Sequence, residues 1–103
     1  MSPDPQPVVD HVDGSVVVRL RGHFDVATAP SVWTALEQSI ADGDRLVLDL
    51  GNVTFIDSSG LSVLLRAFQV LGPDGSLVIK SPTEQARRLF ETSGVLSVLS
   101  FED

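Results

Sequence analysis

The order of apolar patterns along the chain predicts a single α/β domain. Its sheet is expected to be mixed and mostly parallel, with four to five strands, opened by an N-terminal β-hairpin and packed against about three to four helices. Three observations carry that expectation. Two valine-rich runs flank Asp13-Gly14, a dipeptide suited to a tight hairpin turn. Beyond Gly22, helical and strand-like periodicities alternate, which favours parallel strands joined by right-handed crossovers. The chain has 103 residues, enough for one modest core and too few for two.

The elements follow in order. Residues 1–7, MSPDPQP, are polar and proline-rich and are expected to be a flexible tail, leaving the domain at 8–103. VVDHV and SVVVRLRG form the hairpin strands, with Gly22 ending the second. A first helix is expected to begin near Thr28 with Pro30 in its first turn, because Val32, Trp33, Leu36 and Ile40 recur at helical spacing. Gly43 suits the left-handed position just past its end. RLVLDL is the next strand, and GNVTFIDSS (51–59) reads as the loop leaving it. A second helix runs from about Ser58 to Leu71 and is stopped by Gly72-Pro73. SLVIK is a further strand. The third helix opens with Ser81-Pro82-Thr83-Glu84, read as a capping box with proline at the first helical position and Glu84 returning to a backbone donor. Leu89 and Phe90 face inward and Gly94 closes the helix. The last segment, VLSVLSF, fits either a short strand or a turn of helix.

Composition narrows the function. Formal net charge is −7, and no basic patch exists to neutralise nucleic acid phosphates or anionic lipid. A basic protein partner is compatible with it. Without cysteine there is neither a disulfide frame nor thiolate chemistry. The start is not a charged-then-apolar targeting segment, and no apolar run approaches the roughly 20 residues that span a bilayer. The expectation is a cytoplasmic protein without membrane insertion.

The chemistry-bearing candidate is the junction Asp57-Ser58-Ser59-Gly60. Loops at the carboxyl ends of parallel strands gather on one rim of an open sheet, where sites usually lie. Residues 22–28 and 51–59 form two such loops and are expected to adjoin. Asp57 or Ser58 can cap the second helix. No Glu or Gln follows three residues later, so other N–H groups of the first turn are expected to remain available to an anion. Gly60 costs roughly 1 kcal/mol of helix propensity relative to alanine, which a close approach would offset. Either the junction is only a capped polar turn, or it presents a serine hydroxyl for modification; residue chemistry alone does not choose between Ser58 and Ser59.

On the second helix, Leu61, Leu64, Leu65, Phe68 and Leu71 make the core stripe. Val63, Ala67 and Val70 lie on its flank, and Ser59, Ser62, Arg66 and Gln69 on its outer edge. A mildly apolar surface starting at a serine suits a docking patch; equally, a second layer of structure such as the C-terminal segment can cover that flank. Trp33 reads as core. Arg87-Arg88 reads as solvated or paired with Glu84 or Glu91 at helical spacing.

FIDSSGLSVLL resembles the motif of STAS domains, most closely those of bacterial anti-sigma factor antagonists. RLRGHFDVATAP is similar to that family's Gly-x-x-Asp segment, RLVLDLGNVTFIDSSGL to its central strand and phosphoserine motif, and ARRLFETSGV to its last helix. The likeness covers nearly the whole chain from residue 8. It implies phosphorylation at Ser58 by a serine kinase that is also the anti-sigma factor. The unphosphorylated protein would bind that anti-sigma factor and free the sigma factor, and a PP2C-type phosphatase would restore the hydroxyl. The resemblance places Asp25 near the kinase contact. Together with Asp57, Ser59, Gly60, Ser62, Val63 and Arg66 it makes up the expected partner surface. His23-Phe24 replaces the commoner Glu-Leu before Asp25, a departure that bears on partner choice.

Rival readings are weaker. A nucleophile elbow needs Gly-x-Ser-x-Gly, and position 56 is Ile56. His11 and His23 are the only histidines, Asp49 and Asp57 form no paired-carboxylate arrangement, and neither metal-ligand clusters nor phosphate-binding glycine patterns occur. No enzyme activity, cofactor or metal is expected. STAS domains also serve as constitutive subunits or scaffolds of transporters and signalling complexes, often without a phosphorylatable serine here; Ser58 in its full motif favours the switch.

Overall fold

The computed structural model describes residues 7–41, 45–71 and 77–102. Eight elements follow one another: β1 (Val8–Val12), β2 (Ser15–Phe24), α1 (Ala29–Ala41), β3 (Arg45–Ile56), α2 (Ser58–Leu71), β4 (Leu77–Lys80), α3 (Glu84–Thr92) and β5 (Ser100–Glu102). The strands lie in the sheet in chain order, β1-β2-β3-β4-β5. Only β1–β2 is antiparallel, joined through Asp13 and Gly14, both at positive φ. The other three pairings are parallel. The expected tail and the stops at Gly43 and Gly72-Pro73 fall wholly or largely outside the described residues.

Period-2 alternation sets one core. Val16, Val18 and Leu20 of β2, Leu46, Leu48 and Leu50 of β3, and Leu77 and Ile79 of β4 point to the same side. They meet Val32 and Leu36 of α1, Leu61, Leu64 and Ala67 of α2, and Ala86 and Phe90 of α3. Each fully buried aliphatic or aromatic side chain contributes roughly 1.5–3 kcal/mol relative to exposure.

The opposite sheet face carries no part of this core. Val47 and Val78 are shielded there among charged residues of neighbouring strands. Arg19 pairs with Asp10 and approaches Asp49 at 3.8 Å, and Arg45 lies 3.5 Å from Glu102.

Two boundaries differ from the sequence reading. First, Gly22 does not end β2, which runs on to Phe24, and β3 runs on to Ile56, so residues 51–56 are strand and not loop. The pairing absorbs them through register shifts between Arg19 and Arg21 and between Gly22 and His23, at each of which β3 carries one extra residue.

Second, α3 is capped by Thr83 and not Ser81. Thr83 Oγ1 accepts from Ala86 N at 3.2 Å, and Glu84 opens the helix. Ser81 sits at φ 53, outside the extended region an N-cap occupies. Its amide instead donates to Glu102 O of β5 at 2.9 Å. Glu84 turns outward to Arg88, 2.7 Å away. Thr83→Ala should therefore cost about 1 kcal/mol, read as a melting temperature lower by about 4–8 °C. Ser81→Ala should change it less; the reverse order would refute the cap assignment.

The last segment, left open between a strand and a helical turn, resolves into a turn followed by β5. Gly94, at φ 77, donates to Glu91 O at 3.1 Å while Val95 N donates to Phe90 O at 3.0 Å. This is a Schellman closure, in which a positive φ suits glycine. It turns the chain so that Leu99 is buried and Phe101 lies 5.7 Å from the Phe90 ring.

Candidate functional site

The carboxyl ends of β2 and β3 lie side by side, with His23 opposite Phe55 and Phe24 opposite Ile56. Asp57 N then donates to Phe24 O at 3.3 Å. The two rim turns are thus tied to each other, and Asp25 and Ser58 each stand one residue beyond the tie.

Both turns are built on an aspartate. Asp25 Oδ1 accepts from Ala27 N (3.0 Å) and Thr28 N (3.3 Å). The buried Thr28 hydroxyl accepts from Asp25 N at 3.0 Å and donates to His23 O at 2.8 Å. Asp57 Oδ1 accepts from Ser59 N (2.8 Å) and Gly60 N (3.3 Å), making Asp57 the N-cap of α2 and Ser58 its first helical residue. This corrects the expectation that several first-turn amides stay available: Ser59 and Gly60 already donate to Asp57. An anion on Ser58 would feel the helix dipole but could not displace that cap without breaking it.

Gly60 is explained by close approach. A Cβ there would fall 2.6 Å from Phe24 O, 2.8 Å from Ile56 Cγ1 and 3.0 Å from Phe24 Cγ. The missing side chain lets α2 start directly against the ends of both strands.

Ser58 is exposed. One turn on, exposed Ser62 donates to Ser58 O at 2.9 Å. Ser59 is half-buried and lines a groove between α1 and α2, about 480 Å³ in volume, with Val26, Pro30, Trp33, Val63 and Arg66 among its walls. The flank of α2 is partly covered, but by α1: Val63 and Ala67 are buried, while Val70 stays exposed. Val63 therefore reaches the expected partner surface only as a buried lining residue of the groove. Trp33 packs half-buried against the core and also supports Arg66, whose guanidinium carbon lies 4.2 Å from the ring centroid. Two apolar side chains stand out at the same rim, Val26 at 72% and Phe55 at 42% exposure; a surface of this kind suits protein contact.

The family model described as STAS domain matches residues 6–103. The chain belongs to the STAS domain family. Among its relatives, a candidate anti-sigma factor antagonist, BtrV of Bordetella bronchiseptica, is 37% identical over 92 residues, covering 87% of this chain and 79% of the relative. The anti-sigma-B factor antagonist of Listeria monocytogenes is 34% identical over 96 residues, covering 91% and 81%. The crystal structure of an anti-sigma factor antagonist from Mycobacterium paratuberculosis superposes with a TM-score of 0.85 at 29% identity, covering 93% of this chain and 83% of that one.

Within this STAS domain one contact lay beyond sequence reasoning. Gln85, in the first turn of α3, reaches the end of β3: its Oε1 accepts from Ile56 N at 3.0 Å and its Nε2 donates to Ile56 O at 2.7 Å. A glutamine just after a helix cap reads as an ordinary helix former, and its partner is 29 residues earlier. No local pattern announces the pair.

His23, the histidine nearest the junction, stacks edge-on to Phe55 at 6.0 Å and has Nδ1 3.9 Å from Asp25 Oδ2. Arg88 pairs with Glu84, while Arg87 lies over Phe101 at 5.7 Å. Among the described residues no three His, Asp or Glu side chains are grouped to hold a metal, and no helix is long and apolar enough to cross a membrane.

Proposed function

We propose that this STAS domain is a cytoplasmic anti-sigma factor antagonist switched by phosphorylation of Ser58. The observation that carries the reading is the exposed Ser58 at the first position of α2, beside the α1–α2 groove and the exposed Val26 and Phe55. In its unphosphorylated form the domain offers that rim to an anti-sigma factor that is also a serine kinase, and the sigma factor is released. Asp25, Ser59, Ser62 and Arg66 border the contact; Asp57 and Gly60 shape it from beneath.

Phosphorylation adds about −1.5 to −2 charges at neutral pH. Since Asp57 already occupies the amides of Ser59 and Gly60, the phosphate stands on the docking face next to a carboxylate and is not absorbed by the helix end. The helix persists and the partner is repelled. A PP2C-type phosphatase reverses the change.

Incubation with anti-sigma factor kinases and ATP, followed by mass spectrometric mapping, tests the assignment. Phosphate is expected on Ser58. Phosphate on Ser59 alone would move the site, and modification of neither serine would leave a constitutive binding domain.

A further inference from the structure

We propose that Gln85 is a positioning residue for the phosphoacceptor turn, holding Asp57 and Ser58 in place from α3. The functional half of this inference rests on the Ser58 switch proposed above; the structural half does not.

The need for such a residue follows from the sheet. Pairing of β3 with β4 ends at Asp49 opposite Lys80, whereas pairing with β2 continues to Phe24 opposite Ile56. The last residues of β3 therefore have a strand neighbour on one side only. Ile56 is fully buried, and a buried backbone N–H or C=O left unpaired is strongly unfavourable. Gln85 takes the place of the missing strand. One amide group supplies the acceptor for Ile56 N and the donor for Ile56 O, as a parallel neighbour would. Only one orientation of the amide serves both bonds, so each fixes the other.

Gln85 is itself held. Thr83 caps the turn it belongs to, and Ala86 and Phe90 anchor α3 in the core. On the other side of the same peptide, Asp57 N is bonded to Phe24 O. The chain entering the acceptor turn is thus gripped from β2 and from α3, one residue before the aspartate that caps α2. Loosening the α3 grip should be felt at the cap, although Gln85 touches neither Ser59 nor Gly60 amide directly.

Amide hydrogen exchange, followed by NMR on the full chain, tests this with Gln85→Met, which keeps length and loses both bonds. Ile56 should exchange at least about tenfold faster, and Ser59 and Gly60 about threefold or more, while Leu48 and Leu64 in the core keep their rates. Gln85→Glu keeps an acceptor for Ile56 N but sets an oxygen against Ile56 O, and should loosen Ser59 and Gly60 as Gln85→Met does. Faster exchange at Ile56 alone would reduce Gln85 to a local bond and overturn the proposal. So would unchanged rates, or equal acceleration of Leu48 and Leu64.

The kinase assay then separates positioning from docking. In Gln85→Met, kcat for Ser58 phosphorylation should fall about tenfold with KM nearly unchanged, because the α1–α2 groove is intact. A rise in KM alone would contradict the assigned role. If the unaltered protein takes no phosphate on Ser58, the switch itself fails, while the exchange rates still decide whether Gln85 holds the turn.

Discussion

Ser58→Ala is expected to bind the anti-sigma factor as the unaltered protein does and to take no phosphate, whereas phosphorylated protein should bind more than a hundredfold less tightly. The Ser58 side chain is exposed and its hydroxyl belongs to no structural network described above, so its loss removes little. Alanine is also a strong helix former and suits the first turn. Phosphate acts differently. It places a dianion on a rim already carrying the Asp57 carboxylate, on a chain with net charge −7. Any partner surface shaped to that rim must then desolvate the charge or withdraw. A loss of roughly 3 kcal/mol corresponds to more than a hundredfold in affinity. Ser58→Asp carries a smaller charge and less bulk, so a weakening nearer tenfold is expected. Calorimetric titration of the unaltered, phosphorylated, Ser58→Ala and Ser58→Asp forms measures these affinities. Raising salt should recover part of the loss, since exposed charges are screened. Equal affinity of the phosphorylated and free forms would end the switch model.

Gly60→Ala should destabilise the fold by roughly 2 kcal/mol even though alanine favours helix. Relief of the glycine penalty is worth about 1 kcal/mol. Against it stands a methyl 2.6 Å from the Phe24 carbonyl oxygen and 2.8 Å from Ile56 Cγ1. A flexible side-chain tip could yield; a strand carbonyl bonded to Asp57 N cannot do so without opening that bond. Overpacking costs typically about 1–3 kcal/mol, occasionally more, and contact with backbone places this case at the upper end. Thermal unfolding should show a melting temperature lower by roughly 10 °C. Gly94→Ala, where nothing lies within 4 Å but φ is 77, is the useful contrast: it tests backbone strain without crowding. An unchanged melting temperature for Gly60→Ala would mean that α2 does not start in contact with Phe24.

Much of this architecture is readable from local pattern. Asp13-Gly14 gives the hairpin, valine and leucine alternation gives the strands, and the spacing of Leu61, Leu64 and Phe68 gives α2 with its start at Ser58 in place. These are signals in which each residue is interpreted against neighbours a few positions away. Failures arise where a distant residue decides. Residues 51–56 contain Gly51, Asn52 and Thr54, a loop-like composition, yet pairing with β2 keeps them extended through two bulges. Ser81-Pro82-Thr83-Glu84 satisfies the capping-box pattern at Ser81, but the bond from Ser81 N to Glu102 O and its positive φ remove that choice. At the site, the exposed serine and the need for glycine were legible because both follow from helix-start chemistry. The Asp57 cap was only one of two options, and the Gln85 grip was invisible because nothing in either segment points to the other. A cover over the Val63 flank is readable as an expectation, but with the C-terminal segment as its suggested source; α1 lies beside Val63 because the crossover between β2 and β3 lays it alongside α2.

Strand order that copies chain order has a consequence for synthesis. Each strand leaving the ribosome finds its neighbour already made, so the sheet can grow edgewise without waiting for distant segments. The acceptor turn is the exception. Its grip comes from residue 85, well after Ser58 itself has emerged, and the rest of α3, with the Phe90 that anchors it in the core, comes later still. A nascent domain would therefore display its serine on a loosely held strand end until α3 has been made, and a kinase that recognises the finished turn would discriminate against chains still lacking it.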